Sequence, residues 1–258
     1  DEPTCLGVPP FISPYVRNLY GMLKYSGYKK IEYLTIDTLR NQLNALQRFP
    51  FIIIVCGCAV PGKYLGGKPI YRKELQMISD SLYGNQTVLL TGPIQYLSYF
   101  KDFSRMIPLS GYPSLAVHEY LGNTQDKIFP DENWVLAGAE LVTLHPNYPD
   151  IIAEITTFSG CLRERHCSFC IEGNKAEYHR KPEAIIQEMA ALNSAGIQRF
   201  RLGNQSDLLM YNAGKSADHS RTIHLPSIHK LMDGIKNKIQ YKILHIDKDN
   251  FKASVEPG

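Results

Sequence analysis

Three cysteines crowd one short stretch of the chain, Ser159-Gly160-Cys161-Leu162-Arg163-Glu164-Arg165-His166-Cys167-Ser168-Phe169-Cys170. Thiolates on one loop are ligands for zinc or for an iron–sulfur cluster. Zinc and purely structural clusters take four protein ligands, whereas three cysteines leave one iron of a [4Fe–4S] cluster open to a small molecule. Cys167 and Cys170 form a Cys-x-x-Cys pair that spans two corners of such a cluster, and Cys161 supplies the third. The aromatic Phe169 before the last cysteine and the turn Gly173-Asn174 after it add detail that a bare Cys-x-x-Cys lacks. The alternative is a closed zinc or passive cluster site with His166 or His179 as fourth ligand, in which the metal only pins a loop of a module that binds RNA or a protein partner.

The elements around the loop place it. An apolar run over 151–158 predicts a buried strand that delivers the cysteines at its carboxyl end. A helix over 182–193 with proline in its first turn, a strand over 198–202, a helix over 226–237 and a strand over 241–246 follow. Strand-then-helix units at this spacing are the building block of a β/α barrel, whose chemistry lies at the carboxyl ends of the strands. His245 and Asp247, at the end of the third strand, stand where substrate or cofactor contacts belong. An eight-unit barrel takes about 250 residues, so residues 147–258 read as the first half of one, a truncated barrel with an open edge near 241–246.

Residues 1–146 read as a Rossmann-like α/β domain: a helix over 15–25, a strand over 31–36, a helix over 38–47, a strand over 51–55, a helix over 71–82 and a strand over 87–90. Residues 96–130 read as loop and short helix, and the Pro-rich stretch Leu144-His145-Pro146-Asn147-Tyr148-Pro149 as a hinge.

With 44% hydrophobic residues in 258, the chain has apolar surface for one large core or two medium ones. A formal net charge of +3 is mild, so nucleic acid is neither implied nor excluded. The longest apolar run, over 49–59, contains Pro50 and falls well short of the roughly 20 residues that span a bilayer. Asp1-Glu2-Pro3 is no signal peptide, and six cysteines with half of them clustered fit a reducing compartment, so the expectation is a cytoplasmic protein without a membrane partner.

The cysteine stretch resembles that of the radical SAM enzymes, where Cys-x3-Cys-x-aromatic-Cys binds a [4Fe–4S] cluster whose open iron chelates S-adenosylmethionine. Here five residues rather than three separate the first two cysteines. Wider similarity lies in Gly7-Val8-Pro9-Pro10-Phe11-Ile12-Ser13-Pro14-Tyr15, in Val60-Pro61-Gly62-Lys63-Tyr64-Leu65-Gly66-Gly67 and in Phe200-Arg201-Leu202-Gly203-Asn204-Gln205-Ser206-Asp207. These look like a poorly characterised archaeal-type group of the superfamily, whose full-length members end in a helix-hairpin-helix region. The resemblance implies cluster ligation by Cys161, Cys167 and Cys170, and cofactor contacts from Phe169. It also sets Gly203, Asn204 and Gln205 in the place of the Gly-Gly-Glu motif that meets the methionyl amino group. It implies an external one-electron donor and reductive cleavage of S-adenosylmethionine to a 5′-deoxyadenosyl radical. The substrate, small or macromolecular, is not readable. Methyl transfer or methylthiolation is suggested by the cobalamin-binding and methylthiotransferase-type domains that precede such barrels.

The remaining motifs read as structure. Cys56-Gly57-Cys58 with Cys5 has the makings of a second cluster, but a Cys-x-Cys ending a buried strand is expected to pack. No Asp-x-His-x-x-Gly run is present to ligate cobalt. The glycines of 62–67 match neither a Walker loop nor a dinucleotide fingerprint, and Tyr96, Tyr99, Phe100 and Phe103 are expected in a core.

Overall fold

Ser13 and Pro14 begin the first helix: the Ser13 hydroxyl accepts from the Tyr15 N–H at 3.2 Å, and Pro14 brings a preset φ to the first turn. The computed structural model describes residues 10–58, 69–124, 126–162, 166–168, 170–215 and 221–246. They form an α/β protein of two units that divide between Ile151 and Ile152.

In the first unit a two-residue strand β1 (Phe11–Ile12) leads into α1 (Pro14–Tyr25), followed by α2 (Ile36–Asn41), β2 (Phe51–Val55), α3 (Arg72–Ser81), β3 (Thr87–Thr91), β4 (Ile107–Pro108), α4 (Pro113–Tyr120) and α5 (Glu132–Ala137). Strands β2, β3 and β4 run parallel, with β3 in the centre. Alternate residues of β3 serve opposite faces. Val88 and Leu90 join Leu75, Ile78, Phe100 and Phe103, while Leu89 joins Leu19, Met22, Val117 and Trp134. Phe100 and Phe103 therefore lie in a core as expected, Tyr99 packs against it, and Tyr96 is exposed. Helix α1 approaches α5 and the residue after it too closely for a side chain at two glycines. A Cβ on Gly21 would stand 1.8 Å from the Trp134 carbonyl oxygen, and one on Gly138 would stand 2.2 Å from that of Arg17.

Two expectations fail here. Residues 31–36 form no strand: the Thr35 hydroxyl accepts from the Thr38 N–H at 3.1 Å and starts α2 instead. The helix expected over 38–47 stops at Asn41, because Gln42 at φ −144° and ψ 46° breaks it, and a 3₁₀ segment, Leu43–Arg48, continues. Helix α5, capped by the Asp131 carboxylate on the Asn133 N–H at 2.9 Å, and the 3₁₀ segment Gly138–Leu144 had no counterpart in the sequence reading.

The second unit holds β5 (Ile152–Thr156), β6 (Phe158–Ser159), β7 (Tyr178–His179), α6 (Pro182–Ser194), β8 (Arg199–Gly203), a ribbon of β9 (Gly214–Lys215) and β10 (Arg221–Thr222), α7 (Leu225–Lys238) and β11 (Ile243–Ile246). Strands β5, β8 and β11 lie side by side and parallel, β8 between the other two. Ala153, Ile155, Phe200 and Leu202 have no exposed surface, nor do Ile185, Met189 and Leu192 of α6, which packs on β5 and on α7. The other face carries a polar row in register, Glu154, Arg201 and His245. Among the described residues no helix is long and apolar enough to cross a membrane.

Candidate functional site

The cysteines sit on an excursion whose base is tied shut. After β5 the chain enters β6, and β6 pairs antiparallel with β7, Phe158 opposite His179 and Ser159 opposite Tyr178. The two ends of the excursion, at residues 160 and 177, are thereby held together past the carboxyl end of β5. The Phe158 ring stacks on His179, centroids 5.0 Å apart and 17° from parallel, and the Ser159 hydroxyl donates to the Ala176 carbonyl at 2.7 Å.

Beneath this base lies a buried ion pair. Arg180 and Glu188, each 1% exposed, meet at 2.5 Å, and Arg180 also donates to the Thr156 carbonyl at 3.1 Å. Tyr211, itself without exposed surface, donates its hydroxyl to the Arg180 carbonyl, and burial raises its pKa. A buried pair of charges holds only with such additional hydrogen bonds.

Cys161, Cys167 and Cys170 form no disulfide among the described residues and are each partly exposed, and the Cys170 N–H donates to the Cys167 carbonyl at 3.1 Å in the Cys-x-x-Cys turn. Their side chains are not drawn together. Among the described residues no three of His, Cys, Asp and Glu converge at metal-holding distance. His166 lies over Gly173, where an added Cβ would meet its Nδ1 at 2.3 Å. His179 is engaged otherwise: its Nδ1 accepts from the Asn212 N–H at 3.0 Å, and its Nε2 faces Glu177 at 3.3 Å. Phe169, Asp247, Cys5 and residues 62–67 fall outside the described residues.

Gly203, Asn204 and Gln205 close β8 beside the end of β5, Thr156 being paired with Gly203. Gly203 makes room within the protein: a Cβ there would stand 2.5 Å from a Glu154 carboxylate oxygen, in the region where Arg201 and Glu154 meet at 3.7 Å. Asn204, at φ 56°, adopts a left-handed conformation that asparagine tolerates better than most residues. Its amide donates to the Thr156 hydroxyl at 3.2 Å, and its carbonyl accepts from Lys175 at 3.0 Å. Lys175 pairs as well with Glu172 at 2.8 Å, so one ammonium links the excursion to the end of β8. The Ser206 hydroxyl adds a bond to the Gly160 carbonyl at 3.2 Å. Gln205 is fully buried, and its carbonyl oxygen accepts from the Thr157 hydroxyl. That oxygen is the one the resemblance directed at an ammonium. The amide nitrogen of Gln205 and the Oε2 of Glu172, 4% exposed, have no hydrogen-bond partner among the described residues.

Sequence reasoning missed Glu172, Lys175, Thr157 and the Arg180–Glu188 pair. The i,i+3 spacing of Glu172 and Lys175 in the turn after the last cysteine was the available signal; Arg180 and Glu188 offered none.

In the first unit, Cys56 directly follows β2 and lies in the core, and Cys58 is half-buried. Burial, with Cys58 adding to it, pushes the Cys56 thiol up to about 12. Tyr33, its pKa raised by burial and then by Cys58, has its ring 6.2 Å from that of His145, whose pKa burial lowers to about 4.

No family model matches the chain. An uncharacterized protein of Archaeoglobus fulgidus is 37% identical over 265 residues, covering 99% of this chain and 48% of its own length. An uncharacterized protein of Methanocaldococcus jannaschii is 34% identical over 285 residues, covering 97% of this chain and 51% of its own. The chain spans about half the length of these curated relatives.

Proposed function

We propose that the chain is a radical SAM protein: the second unit begins a β/α barrel whose cysteine excursion holds a [4Fe–4S] cluster through Cys161, Cys167 and Cys170. One observation carries this reading. Three partly exposed cysteines occupy a single excursion after a parallel strand, tied through Lys175 to the Gly203-Asn204-Gln205 turn that ends the neighbouring strand. Thiolates are the ligand type for iron–sulfur clusters, and three of them leave one iron for a chelating ligand. An unpaired buried nitrogen on Gln205 after β8, and an unpaired buried oxygen on Glu172 in the excursion, are each open to a polar guest.

When bound, the cluster and S-adenosylmethionine supply one-electron cleavage of the sulfonium to a 5′-deoxyadenosyl radical, with the electron coming from an external donor. The chain's own part is to hold and orient. The β6–β7 ribbon fixes the two ends of the excursion, the Arg180–Glu188 pair fixes the ribbon to α6, and Lys175 fixes the excursion to β8. The polar row Glu154, Arg201 and His245 lies on the face that a completed barrel would turn inward, where substrate is held. Methyl transfer or methylthiolation is the outcome suggested by a preceding α/β unit, an argument by analogy of architecture.

The test is anaerobic reconstitution with iron and sulfide, followed by electron paramagnetic resonance of the dithionite-reduced protein with and without S-adenosylmethionine. A reduced cluster signal that shifts on adding S-adenosylmethionine is expected. Stoichiometric zinc without a cluster would overturn the reading in favour of a metal-pinned binding module.

A further inference from the structure

We propose that the turn ending α1, residues 24–30, is a contact surface for single-stranded nucleic acid, Tyr25 and Tyr28 stacking on bases while Lys29 and Lys30 meet phosphates. The stretch reads Lys24-Tyr25-Ser26-Gly27-Tyr28-Lys29-Lys30, with three cations, no acid and every residue exposed. Its charge equals the formal +3 of the whole chain, so a mild average conceals a local concentration. Tyr25 leaves 64% of its surface in solvent and Tyr28 43%. The charges are available as well. Lys24 is occupied by Glu140 at 2.6 Å, and Glu32, the next acid along the chain, by Arg48 at 3.5 Å. Lys29 and Lys30 enter no ion pair or side-chain hydrogen bond among the described residues.

The backbone beneath these side chains is fixed. Gly27, at φ 89°, takes the left-handed conformation that only glycine adopts freely. Around it the Gly27 N–H donates to the Lys24 carbonyl and the Tyr28 N–H to the Leu23 carbonyl, both at 3.0 Å, the bond pair of a Schellman helix end. Met22 and Leu23 are buried in the core that α1 shares with β3 and α4. The turn is thereby anchored to the core, and presenting the rings costs little further ordering. Unpaired bases have free ring faces, and single strands are held by stacking those faces on aromatic side chains beside cations that track the backbone. A duplex keeps its base faces stacked inside, and an acidic peptide offers charge without rings. The surface lies wholly in the first unit, so it is independent of the radical SAM reading.

Binding is measured on the metal-free chain by fluorescence anisotropy of a labelled single-stranded RNA of about 12 nucleotides, between about 50 and 200 mM salt. Wild type is compared with Tyr25→Ala plus Tyr28→Ala and with Lys29→Gln plus Lys30→Gln. All four positions are exposed, and circular dichroism melts show that each variant is folded. The tyrosine variant should bind at least about 10-fold more weakly, at an unchanged salt slope. The lysine variant should lose about 1.4 from the slope of log affinity against log salt, two phosphates at about 0.7 each for a single strand. The matching duplex should bind more weakly than the single strand and ignore the tyrosine change. Absence of binding by wild type, RNA binding by either variant as tight as wild type, or a duplex held as tightly as the single strand overturns the proposal. So does poly-L-glutamate held as tightly as the RNA and lost with the lysines alone, which assigns the surface to an acidic protein partner.

Discussion

Replacing Glu188 by glutamine would leave the guanidinium of Arg180 buried without its counter-charge, while changing almost nothing in shape. Both side chains are 1% exposed and meet at 2.5 Å, so water cannot screen the orphaned charge. Breaking one partner of a buried pair costs about 3–5 kcal/mol, against a total stability of about 5–15 kcal/mol. For a unit of this size, at about 4 °C per kcal/mol, the melting temperature should fall by roughly 12–20 °C. The double variant Arg180→Met with Glu188→Leu removes both charges and should recover most of that loss. It should not recover all of it, because the Thr156 carbonyl loses the Arg180 donor at about 1–3 kcal/mol. Urea and thermal denaturation followed by far-UV circular dichroism measure all three proteins. If Glu188→Gln costs less than about 1 kcal/mol, or if the double variant is no more stable than Glu188→Gln, the buried pair does not brace the ribbon.

Three further outcomes follow from particular contacts. Gly21→Ala should force α1 away from α5, since its Cβ would lie 1.8 Å from the Trp134 carbonyl oxygen; a loss of about 3 kcal/mol or more should appear in Trp134 fluorescence melts. Gly84→Ala, with nothing within 4 Å of its Cβ, should stay within about 0.5 kcal/mol of wild type, and the contrast fails if the two variants match. Burial holds the His145 imidazole neutral down to about 4, whereas the unfolded chain takes up that proton near 6.5. Stability should therefore fall as pH drops from about 6.5 to 4, by up to about 3 kcal/mol, and His145→Gln should flatten that part of the profile; an identical profile in the variant would refute the assignment. Cys170→Ala should abolish cleavage of S-adenosylmethionine by the reconstituted chain, with product formation followed by chromatography, and full activity in that variant would remove the enzyme reading.

The α/β character was legible because apolar period and punctuation agreed. Phe51–Val55 and Thr87–Thr91 are short β-branched runs bounded by turns, and Pro182 opens a helix that ends at Ser194. The stretch 31–36 misled because Ile31, Tyr33 and Leu34 carry β-formers, while a side-chain cap at Thr35 commits the next residues to helix. Local hydrogen bonding of that kind leaves no periodic trace. At the candidate site, residue type located the cysteines and the turn after β8, but the pairing of Arg180 with Glu188 and of Lys175 with Asn204 depends on tertiary position. Gly203 shows the same limit. Read as part of a ligand motif, it stands where a Cβ would strike the Glu154 carboxylate.

On the radical SAM reading proposed above, the longer spacing between Cys161 and Cys167 is physically a small departure. For a flexible loop, five intervening residues in place of three raise the closure entropy by about 0.5 kcal/mol, less than one surface hydrogen bond contributes. What governs the cysteines is the geometry at the ends of the excursion. Those ends are fixed by the β6–β7 ribbon, by the Ser206–Gly160 bond and by the Lys175 link to Asn204. The side chain most exposed to this logic is Lys175, which has to hold Glu172 and Asn204 at once. Lys175→Met should loosen the excursion while leaving all three thiols in place. The expected result is slower cluster incorporation and faster labelling of the three thiols by a maleimide in the metal-free chain, both measured well below the melting transition, which the unpaired Glu172 carboxylate should lower. Incorporation and labelling at wild-type rates would show that the ribbon alone positions the cysteines.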